Sequence, residues 1–306
     1  MEAARKDREQ DLIREGLVTD AQTWGKIVWR RFRRNRLALL GATILLIMVL
    51  LSIFAPVITK YTVGWGRDEI DIRYILAPPS ARHPLGTDNV GRDNLTRLLY
   101  GGQVSLAVAV VSVGFNLMIG VTVGSIAGYF GGTIDNVLMR ITDIVLSFPF
   151  LPLALTIVAI RGPAISNLMI AIVFLSWPVA ARIVRGEFLS LKEREYVEAS
   201  RATGARPGRI IWRHLLPNAL APLIVYATLD VASIILAEAG LSYLGFGVPQ
   251  PWPTWGNMLN QASNMALVTK MPWIWAPPGL MIMLTVLAVN FVGDGLRDAL
   301  DPRLKQ

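Results

Sequence analysis

Apolar positions in this chain are not spread evenly but gathered into long runs. Residues 37–58, 104–130, 141–160, 165–184, 219–239 and 273–292 are each long enough to cross hydrocarbon as a helix, at about 1.5 Å of rise per residue. The first of them holds no charged residue and would reach about 33 Å. The pattern predicts an all-α, polytopic membrane protein with six spanning helices. Gly120, Gly124 and Gly128 recur every fourth residue in the second run, which leaves one helix face bare and predicts close approach by a neighbouring helix.

The polar intervals set the predicted orientation. Residues 1–36 carry ten Lys/Arg and six Asp/Glu, ending in Arg30, Arg31, Arg33, Arg34 and Arg36 directly before the first run. Such a flank suits cytoplasmic headgroups better than a cleaved leader, because the apolar run is long and no small-residue cleavage site follows it. With the N-terminus inside, 22 of the 30 Lys/Arg fall on the cytoplasmic side, so the positive-inside rule puts both termini in the cytoplasm. The boundaries predicted are a basic segment 1–36, a first span 37–58, an external loop 59–103, a five-helix core 104–294 with a cytoplasmic loop 185–217, and a tail 295–306.

Composition agrees and removes several chemistries. Hydrophobic residues make up 53% of the 306 and charged residues 17%, with a mean hydropathy of +0.46, which argues against a soluble enzyme. The net charge of +8 is read as membrane topology and not as nucleic-acid binding. There is no cysteine, and the two histidines, His83 and His214, have no second ligand at metal-binding spacing. No run contains a histidine to activate a serine, and no Gly-Lys-Ser/Thr turn cradles a phosphate, so the chain is expected to be no enzyme and to hold no metal or cofactor of its own.

The 185–217 interval is too polar to span and longer than the two to eight residues of an ordinary bundle connection. Leu189, Leu191, Tyr196 and Ala199 alternate with charges as in a short amphipathic helix, and Gly204 is placed to stop it. Residues 206–216 predict a second helix, ended by Pro217. Glu198-Ala199-Ser200, then Gly204, then Leu216-Pro217 resemble the EAA loop of the inner-membrane permease subunits of ABC importers. The departures are Ser200, where the family usually has alanine, and His214, often aliphatic.

Further stretches carry the same resemblance in order: HPLGTDNVGRDNLTRLLYGGQVSLA from His83, GTIDNVLMRITDIVLSFP from Gly132, EAGLSYLGFGVPQP from Glu238, TWGNML from Thr254 and NFVGDGLRDALDPR from Asn290. They are similar to the second permease subunit of the dipeptide, oligopeptide and nickel importers. The resemblance implies a type I ABC importer permease fold in a prokaryotic inner membrane. It also implies a second related permease, two cytoplasmic ATPase subunits carrying ATP and Mg, and an external solute-binding protein. In that family the EAA loop docks into a groove of the ATPase, which gives Glu198, Ala199, Ser200, Gly204, Leu216 and Pro217 a coupling role. Peptides are the expected cargo, with nickel or sugars as the alternative and an autonomous channel or ion-coupled carrier as the more distant one.

Two acids lie inside the fifth run. Asp230 falls about 17 Å along it and Glu238 about 29 Å, on adjoining parts of one face. A charge at the bilayer centre costs about 2.5–3.5 kcal/mol on insertion scales, so that face is expected to meet the translocation cavity or a polar helix. Asp230 could favour a cationic cargo end, or bond to the partner permease. Arg140 and Asp143 are spaced to pair at the inner leaflet, as are Asn290, Asp294, Arg297 and Asp301. Trp255 and Gly256 are candidates for the surface facing the binding protein.

Overall fold

The computed structural model describes residues 24–300, so Asp301 and its expected pairing with Arg297 lie outside the described residues. The helices are α1 (Trp24–Arg34), α2 (Arg36–Ile53), α3 (Ala55–Thr62), α4 (Asn94–Phe130), α5 (Gly132–Ser147), α6 (Phe150–Arg161), α7 (Ile165–Leu191), α8 (Glu195–Ala202), α9 (Pro207–Ile210), α10 (Leu216–Tyr243), α11 (Trp255–Leu259), α12 (Met265–Lys270) and α13 (Pro272–Leu300). Among the described residues the only β pairing is an isolated bridge between Thr87 and Asp93. Five helical stretches are long and apolar enough to span, and a bent pair makes a sixth.

The most extensive packing joins α4 to α7, with α10 laid against both and α13 linking α10 to α2. The glycine stripe explains the first contact. A Cβ on Gly120 would strike Ala180, one on Gly124 the backbone and side chains at Ala181 and Val184, and one on Gly128 the Cβ of Phe188. Between these two helices the apolar core runs through Ala171, Ile172, Leu175 and Ala181, all essentially buried.

Proline chemistry corrects three sequence expectations. The run 37–58 is not one helix: α2 stops at Ile53, and α3 restarts with Pro56 in its first turn, where no amide hydrogen is needed. The run 141–160 bends by 88° between α5 and α6. There Phe148, which precedes Pro149, is extended (φ −81°, ψ 135°), the conformation that a following proline imposes. Pro217 does not end a helix. Ile211–Leu215 form a π turn that carries α9 into α10, and the Leu216 amide donates to the Ile211 carbonyl. Pro217 then sits in the first turn of α10, and the Asn218 amide side chain donates to the His214 carbonyl at 2.6 Å.

The segment between α3 and α4 is held by buried polar groups. Asp93 caps α4, accepting from the Thr96 amide at 2.8 Å, and its other oxygen lies 2.9 Å from Nδ1 of His83. α4 therefore begins ten residues before the apolar run, with Thr96 and Arg97 buried.

Candidate functional site: the loop after α7 and the buried acids of α10

Of the two helices expected in the loop, the first forms as the short α8 after α7 has run on to Leu191, and the second is the start of the helix that continues into α10, the two enclosing a core of their own. Val197 on α8 is fully buried with Val184 and Phe188 of α7, Ile210 and Leu215 of the α9 and π-turn segment, and Ala219 and Leu223 of α10. α8 is thereby seated on the ends of two spanning helices at once. Gly204 stops it as expected, with φ at +79°. The Gly204 amide donates to the Arg201 carbonyl and the Ala205 amide to the Ser200 carbonyl, the paired bonds of a Schellman cap.

Of the coupling residues inferred from the sequence, Glu198, Ala199, Gly204 and Pro217 are exposed, while Ser200 and Leu216 are half-buried. The Ser200 hydroxyl donates to the Tyr196 carbonyl at 2.8 Å, an intrahelical bond that alanine would not make. No ion pair or hydrogen bond to the Glu198 side chain occurs among the described residues. It lines a groove of about 530 Å³ with Tyr129, Lys192, Glu193, Arg201 and Pro207. On the far side of α8 a second groove of about 570 Å³ is lined by Thr203, Arg206, Arg209 and His214. The loop thus offers a helix bearing an unpaired acid between two grooves that charged side chains help to line.

α5 and α7 are tied beside it by ion pairs. The Arg185 guanidinium donates two bonds to Asp135, at 2.5 and 2.7 Å, and Arg182 donates to Asp143 at 2.6 Å. This corrects the expected Arg140–Asp143 pair: the partner of Asp143 comes from a neighbouring helix, which turns a local charge match into a link between elements.

The two acids of α10 both face α4. Asp230, 7% exposed, accepts from the Asn116 side chain at 3.0 Å. Oδ1 of Asn116 and the Ser112 hydroxyl, one turn apart and buried, have no partner there, so this seam is polar on both helices. Glu238 is fully buried and accepts from Ser105 (3.2 Å) and Ser242 (2.7 Å). The Ser105 oxygen accepts from the Trp255 amide, and the Trp255 indole donates to the Leu98 carbonyl at 3.0 Å.

The expectation that Trp255 and Gly256 form an outward docking surface is therefore corrected. Trp255 is 2% exposed, and Gly256 is pressed so close to Ala239 and Ser242 that no side chain fits. Trp252 in that loop is exposed, with the Arg67 guanidinium 4.0 Å over its ring.

Sequence reasoning missed the groups that lock the segment before α4 to the loop after α10. Asp88 pairs with Arg92 at 2.7 Å and lies 3.7 Å from Arg97. Both guanidiniums donate to the Gln250 side-chain oxygen, at 2.8 and 3.3 Å. Nearby, burial raises the Asp71 carboxyl, but hydrogen bonds from Arg73 and the charges of Arg73 and Arg82 outweigh it and hold that acid below its ordinary value. The conspicuous density of Asp and Arg between His83 and Arg97 was the available signal.

Five helical stretches are of membrane-spanning length and a structured loop is clamped to two of them, and comparison with known proteins identifies this arrangement as a membrane component of a transport system. Residues 120–306 match the family described as binding-protein-dependent transport system inner membrane component, and residues 23–79 match the N-terminal transmembrane domain of oligopeptide transport permease C. The chain belongs to the first of these families. It is 43% identical to the dipeptide transport system permease protein DppC of Alkalihalophilus pseudofirmus, over 95% of this chain and 93% of that one. It is 43% identical to the di/tripeptide transport system permease protein DppC of Pseudomonas aeruginosa, over 92% of each. It is 39% identical to the glutathione transport system permease protein GsiD of Pectobacterium atrosepticum, over 90% of each. Among solved structures, the inward-facing MetNI methionine ABC transporter shares the fold, with a TM-score of 0.55 at 24% identity over 67% of this chain and 96% of that one.

Proposed function

We propose that this chain is one of two related permease subunits of an ATP-driven importer of dipeptides or oligopeptides. It would work with a second permease, two cytoplasmic ATPases that carry ATP and Mg, and an external solute-binding protein. The names of the relatives support peptide cargo, against the alternative of nickel or sugars. Both termini and the loop after α7 are placed in the cytoplasm by the distribution of Lys and Arg.

The observation that carries the coupling role is α8 itself: its buried Val197 seats it on α7 and α10, while Glu198 one position on is exposed and unpaired. A push on α8 by an ATPase then moves two spanning helices as one unit. Because α7 is wedged against the glycine face of α4, that displacement passes into the core of the bundle. Nucleotide binding shifts the access state only if it favours one arrangement of these helices over the other, and the loop is the element built to transmit that preference.

Asp230 is assigned to the pathway where α10 meets α4, favouring the cationic end of a peptide. If Asp230→Asn leaves the uptake kinetics of every transported substrate unchanged, that assignment is wrong. Glu238 is assigned to holding α4, α10 and α11 together at the outer end.

The deciding experiment is mass spectrometry of the gently solubilised complex. A second permease and ATPases, with peptides on the associated binding protein, are the expected result. A homogeneous complex of this chain alone would replace the reading with a channel or carrier, and a metal or sugar on the binding protein would replace the cargo.

A further inference from the structure

The transport reading leaves α1 without a task, yet its surface is organised. Asn35 alone separates α1 from the span α2, and its side chain caps α2 by accepting from the Ala38 amide at 3.1 Å, so α1 lies where hydrocarbon begins. One side is fixed to the bundle. Phe32 is buried with Ala38 and Ala299, flanked by Val28 and Leu296, and Gly295 leaves the space that Ala38 and Phe32 occupy.

The outward side carries Lys26, Arg30, Arg33 and Arg34, all exposed, and Arg36 continues it at the first turn of α2. Trp29 is 59% exposed, with the Arg33 guanidinium 6.0 Å over its ring. No acid occurs between residues 24 and 36, and none of these five cations forms an ion pair with a described residue. Asp298 of α13 accepts from the Asn35 side-chain amide at 3.4 Å.

We infer that this face of α1 binds the headgroups of anionic phospholipids, the phosphates meeting the guanidiniums and the Trp29 ring lying at headgroup depth. Charge complementarity selects an anionic partner. Continuity selects lipid over protein: on the next turns of α2, Leu37, Leu39 and Leu40 are exposed apolar side chains of a spanning helix, which acyl chains cover. The cationic face and the apolar face therefore adjoin as headgroup and chain do in one lipid. The inference rests on the reading of this chain as a membrane-embedded permease subunit.

The test is native mass spectrometry of the intact complex in mild detergent, supplied with phosphatidylglycerol or phosphatidylcholine of equal chain length. The native complex is expected to retain phosphatidylglycerol in preference. R30Q/R33Q/R34Q/R36Q is expected to lose that preference by at least about tenfold, a fraction of the compounded effect of four cations each worth up to roughly fivefold near an anionic surface. The lysine counterpart R30K/R33K/R34K/R36K should keep most of it. If the fourfold glutamine variant fails to assemble, R30Q/R33Q gives the same readout with a loss of several-fold.

Equal retention of the two lipids by the native complex overturns the inference. So does native-like retention by the glutamine variants, including the case where they shed a protein partner instead. Recovery of the chain without ATPases or a second permease would overturn the functional reading while still leaving lipid retention to be scored separately.

Discussion

The two ends of this molecule, one formed by the segment between α3 and α4 and the other by the loop after α7, use charge in opposite ways. At the end formed by the α3–α4 segment, Asp88, Arg92 and Arg97 are buried and bonded among themselves and to Gln250, which lies 158 residues beyond Arg92, and buried Asp93 bonds to Nδ1 of His83. At the opposite end the loop after α7 buries Val197, Ile210 and Leu215 and leaves Glu198, Arg206 and Arg209 exposed. Buried ion pairs contribute little net stability but are costly to break, so the first arrangement fixes one geometry. An apolar core under a polar face gives a rigid body with free bonding capacity, as suits a surface that engages something else.

The contrast can be broken most forcefully at Arg97. Arg97→Ala should destabilise the protein by about 3–5 kcal/mol, because Asp88 and Gln250 lose a buried partner; thermal unfolding of the purified protein measures it. A result near zero would mean that this network holds nothing together. Gly124→Val should cost at least about 1–3 kcal/mol by forcing α7 away from α4, read in the same assay. Neighbours on α8 sharpen the distinction further. Val197→Ala should cost about 2 kcal/mol through lost burial and the cavity left behind. Glu198→Ala should change stability by no more than about 0.5 kcal/mol while abolishing ATPase association and uptake in reconstituted vesicles. If both variants behave alike, the loop is scaffold only.

The smallest expected effect is on pH. The Asp71 carboxyl is held below its ordinary value of 3.8, so its contribution to folding is fully present above that value and is lost as pH falls through its lower folded value. Acid unfolding of the segment between α3 and α4 should thus begin below pH 3.8. Arg82→Gln should move the onset upward, and scans of unfolding temperature against pH would detect the shift.

Much of this architecture was legible in the chain because it is local. Apolar run length located the spans, the four-residue glycine repeat marked the α4–α7 seam, and Gly204 marked the end of α8. The bend at Pro149 was also local, but an uninterrupted count of apolar residues hides a break that adds no polar residue. What stayed hidden depends on pairs distant in sequence. Asp143 has a plausible partner three residues away in Arg140, yet bonds to Arg182, and nothing near Asp230 points to Asn116 on another helix. Trp255 looked like an interfacial ring because its type is common there. Its burial follows from the bonds to Ser105 and Leu98, which only the folded chain brings near.

The π turn ahead of Pro217 has a consequence for alignment. An α-helix advances about 100° in azimuth per residue, and a wider turn absorbs one residue without passing that rotation on in full. Ile211–Leu215 therefore act as a phase adjuster between two sections of one screw: they set the compass bearing of the Arg206–Arg209 side relative to the Asp230 side. Removing a single residue there would keep every side chain of the loop and every side chain of the span, and still turn one about a quarter-circle away from the other.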